Sequence, residues 1–262
     1  MTRHALTALA ATLTVLSLVS LGARAETVSR TLDGQALSIE LVCVDQVEIL
    51  PQPGLAGQVT VKATSSGAGE LADFVFAGGD TASVTRQRRS CTSSVADRPK
   101  TALSIRVPAG MPIDIRNGGA TDYTIGAVGG PLHARLAGAG NIAIEAVSDL
   151  DLTIAGSSEA RIGQVGGGAD IQISGRAEVR IARGEISKFK VEVNGSGRVS
   201  LEQGRVGTLT ASIAGSGHVR VDTAVQDATL SSIGSGTIEV AKVTGTLSTS
   251  KVGSGSIITG HN

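Results

Sequence analysis

Two carboxylates, Asp151 and Asp170, hold the same place in a pattern that recurs along the chain, each five residues before a glycine. His133 and Lys190 hold the equivalent places on either side. If consecutive repeats stack as β-strands, side chains at equivalent positions lie about 5 Å apart. Two acids at that separation suit a calcium ion or the acid pair of a glycoside-cleaving site. The competing reading is a solvated column in which the flanking bases neutralise the acids. Aromatic platforms for sugar rings are scarce, since only Phe74, Phe76, Tyr123 and Phe189 are aromatic.

A second set lies three and five residues after the same glycines: Glu159, Arg161, Glu178, Arg180, Arg198, His218, Arg220 and Glu239. Arg161, Arg180, Arg198 and Arg220 are the candidate ligand-binding residues, suited to an anionic polysaccharide. The plainer account is a solubilising face in which opposite charges sit across adjacent positions. Further on, Thr210-Ala-Ser212, Thr229-Leu-Ser231 and Ser248-Thr-Ser250 form a hydroxyl ladder. Such ladders can bind ice or glycans, but β-propensity with a polar outer face explains this one.

Other chemistry is excluded more firmly. The histidines lack metal-ligand spacing, and the recurrent Gly-Ser-Gly is not a nucleophile elbow. Phosphate loops and dinucleotide fingerprints need a helix that the pattern does not provide. The residues following each corner, Asn141, Glu159, Glu178, Arg198, His218, Thr237 and Ser256, lack the regular Asp of calcium-binding nonapeptides. No catalytic residue, metal or other cofactor is expected, and with 23 basic and 23 acidic residues nothing points to nucleic acid.

The elements that must carry these residues follow from the period. Corner glycines fall at Gly119, Gly138, Gly156, Gly175, Gly195, Gly215, Gly234 and Gly253, at intervals of 19, 18, 19, 20, 20, 19 and 19. Before each corner runs an alternating apolar strand, such as Leu150/Leu152/Ile154 or Phe189/Val191/Val193, and a second follows, such as Val179/Ile181 or Val199/Leu201. Two short strands of period two per repeat, with no helical period, predict an all-β right-handed parallel β-helix, a solenoid of about 19-residue rungs. The first corner residue is always glycine, whereas the second is Gly140, Ser158, Ala177, Gly197, Gly217, Gly236 or Gly255. Only the first should therefore need positive φ. In Leu230-Ser-Ser-Ile233-Gly234 the apolar residue slips one place, which predicts a bulge or altered corner there.

Residues 1–25 combine a short basic start, an apolar run and Ala23-Arg24-Ala25, the pattern of a cleaved secretory signal, so no membrane span is expected afterwards. Removing them leaves 21 basic and 23 acidic residues. In an oxidising compartment Cys43 and Cys91 are expected to form a disulfide. Residues 26–112 read as an irregular N-terminal β cap, and 113–262 as the repetitive β-helix. The C-terminal end, near Ile257-Ile258, is a candidate edge for self-association.

Val44-Asp-Gln-Val47-Glu-Ile49, Gln58-Val-Thr-Val61, the Val107-Pro108 to Ile115 entry, and the corners Val193-Asn-Gly-Ser-Gly197 and Ile213-Ala-Gly-Ser-Gly217 resemble the bacterial putative auto-transporter adhesin, head GIN domain family, and the related putative adhesins. The resemblance implies a periplasmic, secreted or cell-surface β-helical domain, adhesive by its label. The expected function is thus an exported, non-enzymatic interaction or structural protein, with an envelope or extracellular glycan or protein as partner. The alternative is a carbohydrate-active β-helix enzyme, a lyase or hydrolase, using the outward carboxylates.

Overall fold

The computed structural model describes residues 25–87 and 99–260. Most of the expected signal segment and Cys91 lie outside these residues. The described chain is all β. In order the strands are β1 (Glu26–Asp33), β2 (Ala36–Leu41), β3 (Gln46–Pro51), β4 (Gln58–Ser65), β5 (Phe74–Ala77), β6 (Thr81–Arg86), β7 (Thr101–Val107), β8 (Ile113–Gly118), β9 (Asp122–Ala127) and β10 (Leu132–Gly138). They continue as β11 (Ile142–Val147), β12 (Leu150–Gly156), β13 (Glu159–Val165), β14 (Gly168–Gly175), β15 (Glu178–Gly195), β16 (Arg198–Gly215), β17 (His218–Gly234), β18 (Thr237–Val243), β19 (Leu247–Val252) and β20 (Ser256–Thr259).

From β8 onward the chain winds as a β-solenoid of about eight turns of roughly 19 residues. Each turn pairs in parallel with the next, and equivalent residues stand opposite one another: Leu132, Leu150, Ala169, Phe189, Leu209 and Ala228 form one buried column. Alternation does the rest, because every second side chain on a strand points to the same face. Val179, Val199, Val219 and Ile238 build a matching buried column on the second strand of each turn.

The solenoid extends into residues 26–112. β2 and β3 pair in parallel with β8 and β9 on one side and with β6 and β7 on the other. The chain therefore visits the second turn of the stack before the first, and residues 108–112 carry it past that turn. Three antiparallel strands finish this end: β4 lies on β7, β1 on β4, and β5 on β6. Covering a terminal turn in this way removes an edge that could template pairing with another chain.

The corner glycines all have positive φ, from 109° at Gly253 to 157° at Gly119, whereas the second corner positions do not. The register that pairs Leu41 with Asn117 also brings Cys43 to the place of Gly119. Cys43 is the non-glycine residue with positive φ among those described, at 61°.

The bulge expected near Ile233 is absent. Ile213 pairs with Ser232, Ala214 with Ile233 and Gly215 with Gly234, in unbroken register. Ser232 takes the inward place at 0 % exposure, its hydroxyl donating to the Gly236 carbonyl at 3.2 Å, and Ile233 turns outward at 55 % exposure. Glycine-corner geometry and ladder hydrogen bonds hold the register, and one inward hydroxyl with a partner costs less than breaking them. Register shifts occur at the other corner instead, between Leu201 and Arg205 and between Val221 and Ala224. The first shift absorbs the step from a 20-residue to a 19-residue turn; at the second the offset drops from 19 to 18 residues at Ala224 and is 19 again at Ala228.

Tyr123, the single tyrosine, is 2 % exposed inside the solenoid, and its hydroxyl has no hydrogen-bond partner among the described residues. Burial pushes its ionisation well above the ordinary phenol range. A folded-state pKa raised in this way gives stability that is complete below the unfolded value of about 10 and is lost as pH rises beyond it. Stability should fall there by up to about 1.4 kcal/mol per pH unit from this group, and Tyr123→Phe should remove that part of the slope. Tyrosinate absorbance should appear only as the protein unfolds; an ordinary titration midpoint in the folded state would show that the hydroxyl reaches water.

Candidate functional site

The turn-to-turn register fixes what each outward side chain meets. On the second strand of each turn, Thr124, Ala143, Arg161, Arg180, Ser200, Arg220 and Glu239 form one outward column. Glu159, Glu178, Arg198, His218 and Thr237 form the column beside it, two residues nearer the corner. Three of the four candidate arginines thus share a column, while Arg198 stands in the other, above Glu178.

Each of the four has an acidic partner. Arg161 meets Glu159 at 2.6 Å, Arg180 meets Glu178 through Nε at 3.0 Å and Nη2 at 2.8 Å, and Arg198 reaches Glu178 at 4.0 Å. The Nε of Arg220 lies 2.8 Å from both Asp222 carboxylate oxygens, and its Nη1 lies 3.4 Å from Glu239. Hydrogen bonds to Glu178 and to Asp222, followed by the charges of those groups, raise the pKa values of Arg180 and Arg220. The pairs are exposed, so each contributes little to stability. Their effect is to hold the guanidinium groups in fixed directions.

Arg161 and Arg180 border a groove of about 460 Å³. Gly126, Gly163 and Ala182 contribute almost no side chain to it, and Glu145 and Glu202 complete the charged rim. The groove exists because small residues fall beside long ones at matching places in successive turns. Such a surface can hold a polar or anionic group against the arginines without covalent chemistry.

Asp114, His133, Asp151, Asp170 and Lys190 stack in register on the first strand of the turn. His133 Nδ1 lies 3.4 Å from Asp151, and Lys190 donates to Asp170 at 3.0 Å. That hydrogen bond and the Asp170 charge raise the Lys190 pKa. Asp151 is thus engaged by His133 and Asp170 by Lys190, each on the side away from the other acid. Among the described residues no three His, Cys, Asp or Glu side chains gather as a metal-ligand group.

The hydroxyl ladder is also in register: Thr210, Thr229 and Ser248 form one column, and Ser212, Ser231 and Ser250 the next. Beside it stands an apolar column of Ala214, Ile233 and Val252, with Val252 62 % exposed. In β19 the inward places belong to Leu247, Thr249 and Lys251, all exposed.

One feature escaped the sequence reading. Arg116 and Arg135, three residues before Gly119 and Gly138, stand opposite each other and line a larger groove of about 600 Å³. The outward columns after the corner are marked in the sequence by alternating charge, whereas the column before the corner runs Arg116, Arg135, Thr153, Gln172, so its two arginines do not stand out.

Comparison with known proteins agrees with this architecture. Residues 131–243 match the family model described as "Putative auto-transporter adhesin, head GIN domain", and over that span the resemblance read from the corner motifs is borne out. No curated protein sequence matches the chain. Among solved structures, a "putative lipid binding protein" from Parabacteroides distasonis is similar at TM-score 0.68 and 17 % identity, covering 90 % of this chain and 96 % of its own. A "putative adhesin" from Parabacteroides merdae is similar at TM-score 0.68 and 14 % identity, with the same coverage. A "putative adhesin" from P. distasonis gives TM-score 0.63 at 16 % identity over 89 % of this chain and 97 % of its own. At these identities the likeness is one of fold.

Proposed function

We propose that this chain, with its adhesin head GIN match over residues 131–243, is an exported, non-enzymatic, adhesin-like interaction module. Its ligand-binding face is the second-strand side of the solenoid, where Arg161, Arg180, Arg198 and Arg220 are presented. The observation that carries this reading is the groove beside Arg161 and Arg180, in which side chains oriented by same-strand acids border an open floor of Gly and Ala. Oriented charges on a rigid sheet suit recognition, since little further ordering is needed on binding. Among the described residues no helix is long and apolar enough to cross a membrane. Periplasm, cell surface or medium is the proposed compartment, and a bacterial envelope or extracellular glycan or protein the proposed partner. The proposed Cys43–Cys91 disulfide fits an oxidising compartment.

The test is binding of residues 26–262 to an array of envelope glycans and proteins, with and without calcium. A specific hit that weakens in Arg161→Ala/Arg180→Ala is the expected result. No hit under either condition, with the protein folded, would overturn the reading.

A further inference from the structure

The groove at Arg116 and Arg135 is distinct from the one just described and lies on the other strand of the turn. Its walls come from β2, β6, β8, β10 and β12, which belong to five successive turns. At about 600 Å³ it falls within the range of small-ligand sites.

Arg116 and Arg135 are directly opposite in neighbouring turns, so their stems start about 4.8 Å apart. Like charges in that relation repel. Arg161 and Arg180 stand in the same relation, but there each has a glutamate two residues away on its own strand. Here the acids stand beside Arg116 alone: Asp114 approaches its Nε at 3.2 Å, and Glu40, which also lines the groove, lies opposite it in the neighbouring turn, on the side away from Arg135. The nearest outward neighbours of Arg135 are His133 and Ala137 along the strand and Arg116 and Thr153 across it, none of them acidic. Asp151 is engaged by His133. The exposed Arg135 guanidinium makes no hydrogen bond or ion pair among the described residues.

Beside these arginines runs a column of Gly118, Ala137 and Ala155, which leaves a flat floor along the solenoid axis. Thr153 continues the arginine column on the next turn, placing a hydroxyl at the rim. A planar carboxylate matches a guanidinium fork through two parallel hydrogen bonds, an arrangement that a free arginine fork offers and a lysine does not. A flat floor one small side chain deep accepts the face of a sugar ring, and the rim hydroxyl suits sugar hydroxyls.

We propose that this groove binds a carboxylate-bearing sugar residue of an anionic polysaccharide, with Arg135 as its principal contact and Arg116 beside it. The inference rests on the reading of the protein as an interaction module, and gives that module a second site and a ligand class. It is tested by titrating residues 26–262 with fluorescent tri-galacturonate, with its methyl ester and with inorganic phosphate as competitor. Saturable binding is expected, weakened about tenfold or more by Arg135→Ala, as for loss of a charged hydrogen-bonded pair. Arg135→Lys should recover only part of it, and Arg205→Ala, on an exposed arginine outside both grooves, should change nothing.

No binding of tri-galacturonate, equal binding of its methyl ester, or full competition by an equimolar amount of phosphate would each overturn the assignment. Binding kept in Arg135→Ala but lost in Arg161→Ala/Arg180→Ala would place the ligand in the other groove. The inference would then fail while the interaction reading survived. Because Arg135 is exposed and unpaired, its replacement does not threaten folding.

Discussion

Gly215→Ala is expected to lower the thermal midpoint far more than Gly217→Ala, although the two glycines belong to one corner. Gly215 has φ of 129°, a region that costs a non-glycine residue about 1–3 kcal/mol. An alanine Cβ there would also run into the Gly195 carbonyl of the turn beneath, closer than any ordinary contact. That carbonyl accepts the Ser216 N–H at 2.8 Å, so moving aside would break the ladder that joins the turns. Together these effects predict a loss of about 3 kcal/mol or more. At Gly217 the new methyl would meet Val193 Cγ1 at 2.6 Å and the Gly197 carbonyl at 3.0 Å, without positive φ. A side-chain methyl can give way, and Ala177 and Ser158 already occupy the equivalent place, so a cost of about 1 kcal/mol is expected. Equal midpoints for the two variants would show that the first position is not conformationally special.

Arg86→Ala is expected to be comparably severe and to act at the other end of the molecule. Arg86, at the end of β6, is 3 % exposed. It reaches the Glu70 carboxylate at 2.7 Å and the Glu70 carbonyl at 3.3 Å, donates to the Cys43 carbonyl, and lies 5.0 Å from the centre of the Phe74 ring. One side chain thus ties the first turn, the positive-φ residue of the second turn and the segment leading into β5. Removing one partner of a buried ion pair costs about 3–5 kcal/mol, because the other charge remains in place. Glu70→Gln should cost less, since its amide oxygen can still accept from the guanidinium. The prediction is checked by urea unfolding together with hydrogen exchange. Protection should be lost first in β2, β3, β6 and β7, as expected where each turn depends on its neighbours. A change of less than about 1 kcal/mol would show that this tie contributes nothing beyond a surface pair.

The parts of the fold legible in the sequence are those in which one residue type answers one physical demand. Glycine at a positive-φ corner has no cheap substitute, so Gly138 to Gly253 announce the turns and their register. Alternation made the inward columns readable up to Ile213. At Ser232 and Ile233 alternation of polarity does not give the inward side. The corner and the ladder decided it, and a hydroxyl with a carbonyl partner was tolerated inside. Residues 26–112 were harder for another reason. Their turns are stacked out of sequence order, and Cys43 stands where a glycine would mark the corner, so no period survives to be read.

The candidate site was legible in part. Same-strand pairs such as Glu178 and Arg180 are two residues apart, and a β-strand must put them on one face. That Arg198 leaves the column of Arg161, Arg180 and Arg220 follows from its place three residues after Gly195 rather than five. The grooves were not legible, since a groove is made by what small residues at neighbouring places leave empty. Gly163 and Ala182 beside Arg161 and Arg180, or Ala137 and Ala155 beside Arg135, acquire meaning only when the turns are stacked.

Retention of an anionic glycan by immobilised residues 26–262, read together with the length of the glycan recovered, tests the central claim most directly. An interaction module should hold the glycan and release it at its original length. Shortened chains whose formation is abolished by Asp170→Asn would contradict that account and make the outward carboxylates a catalytic pair.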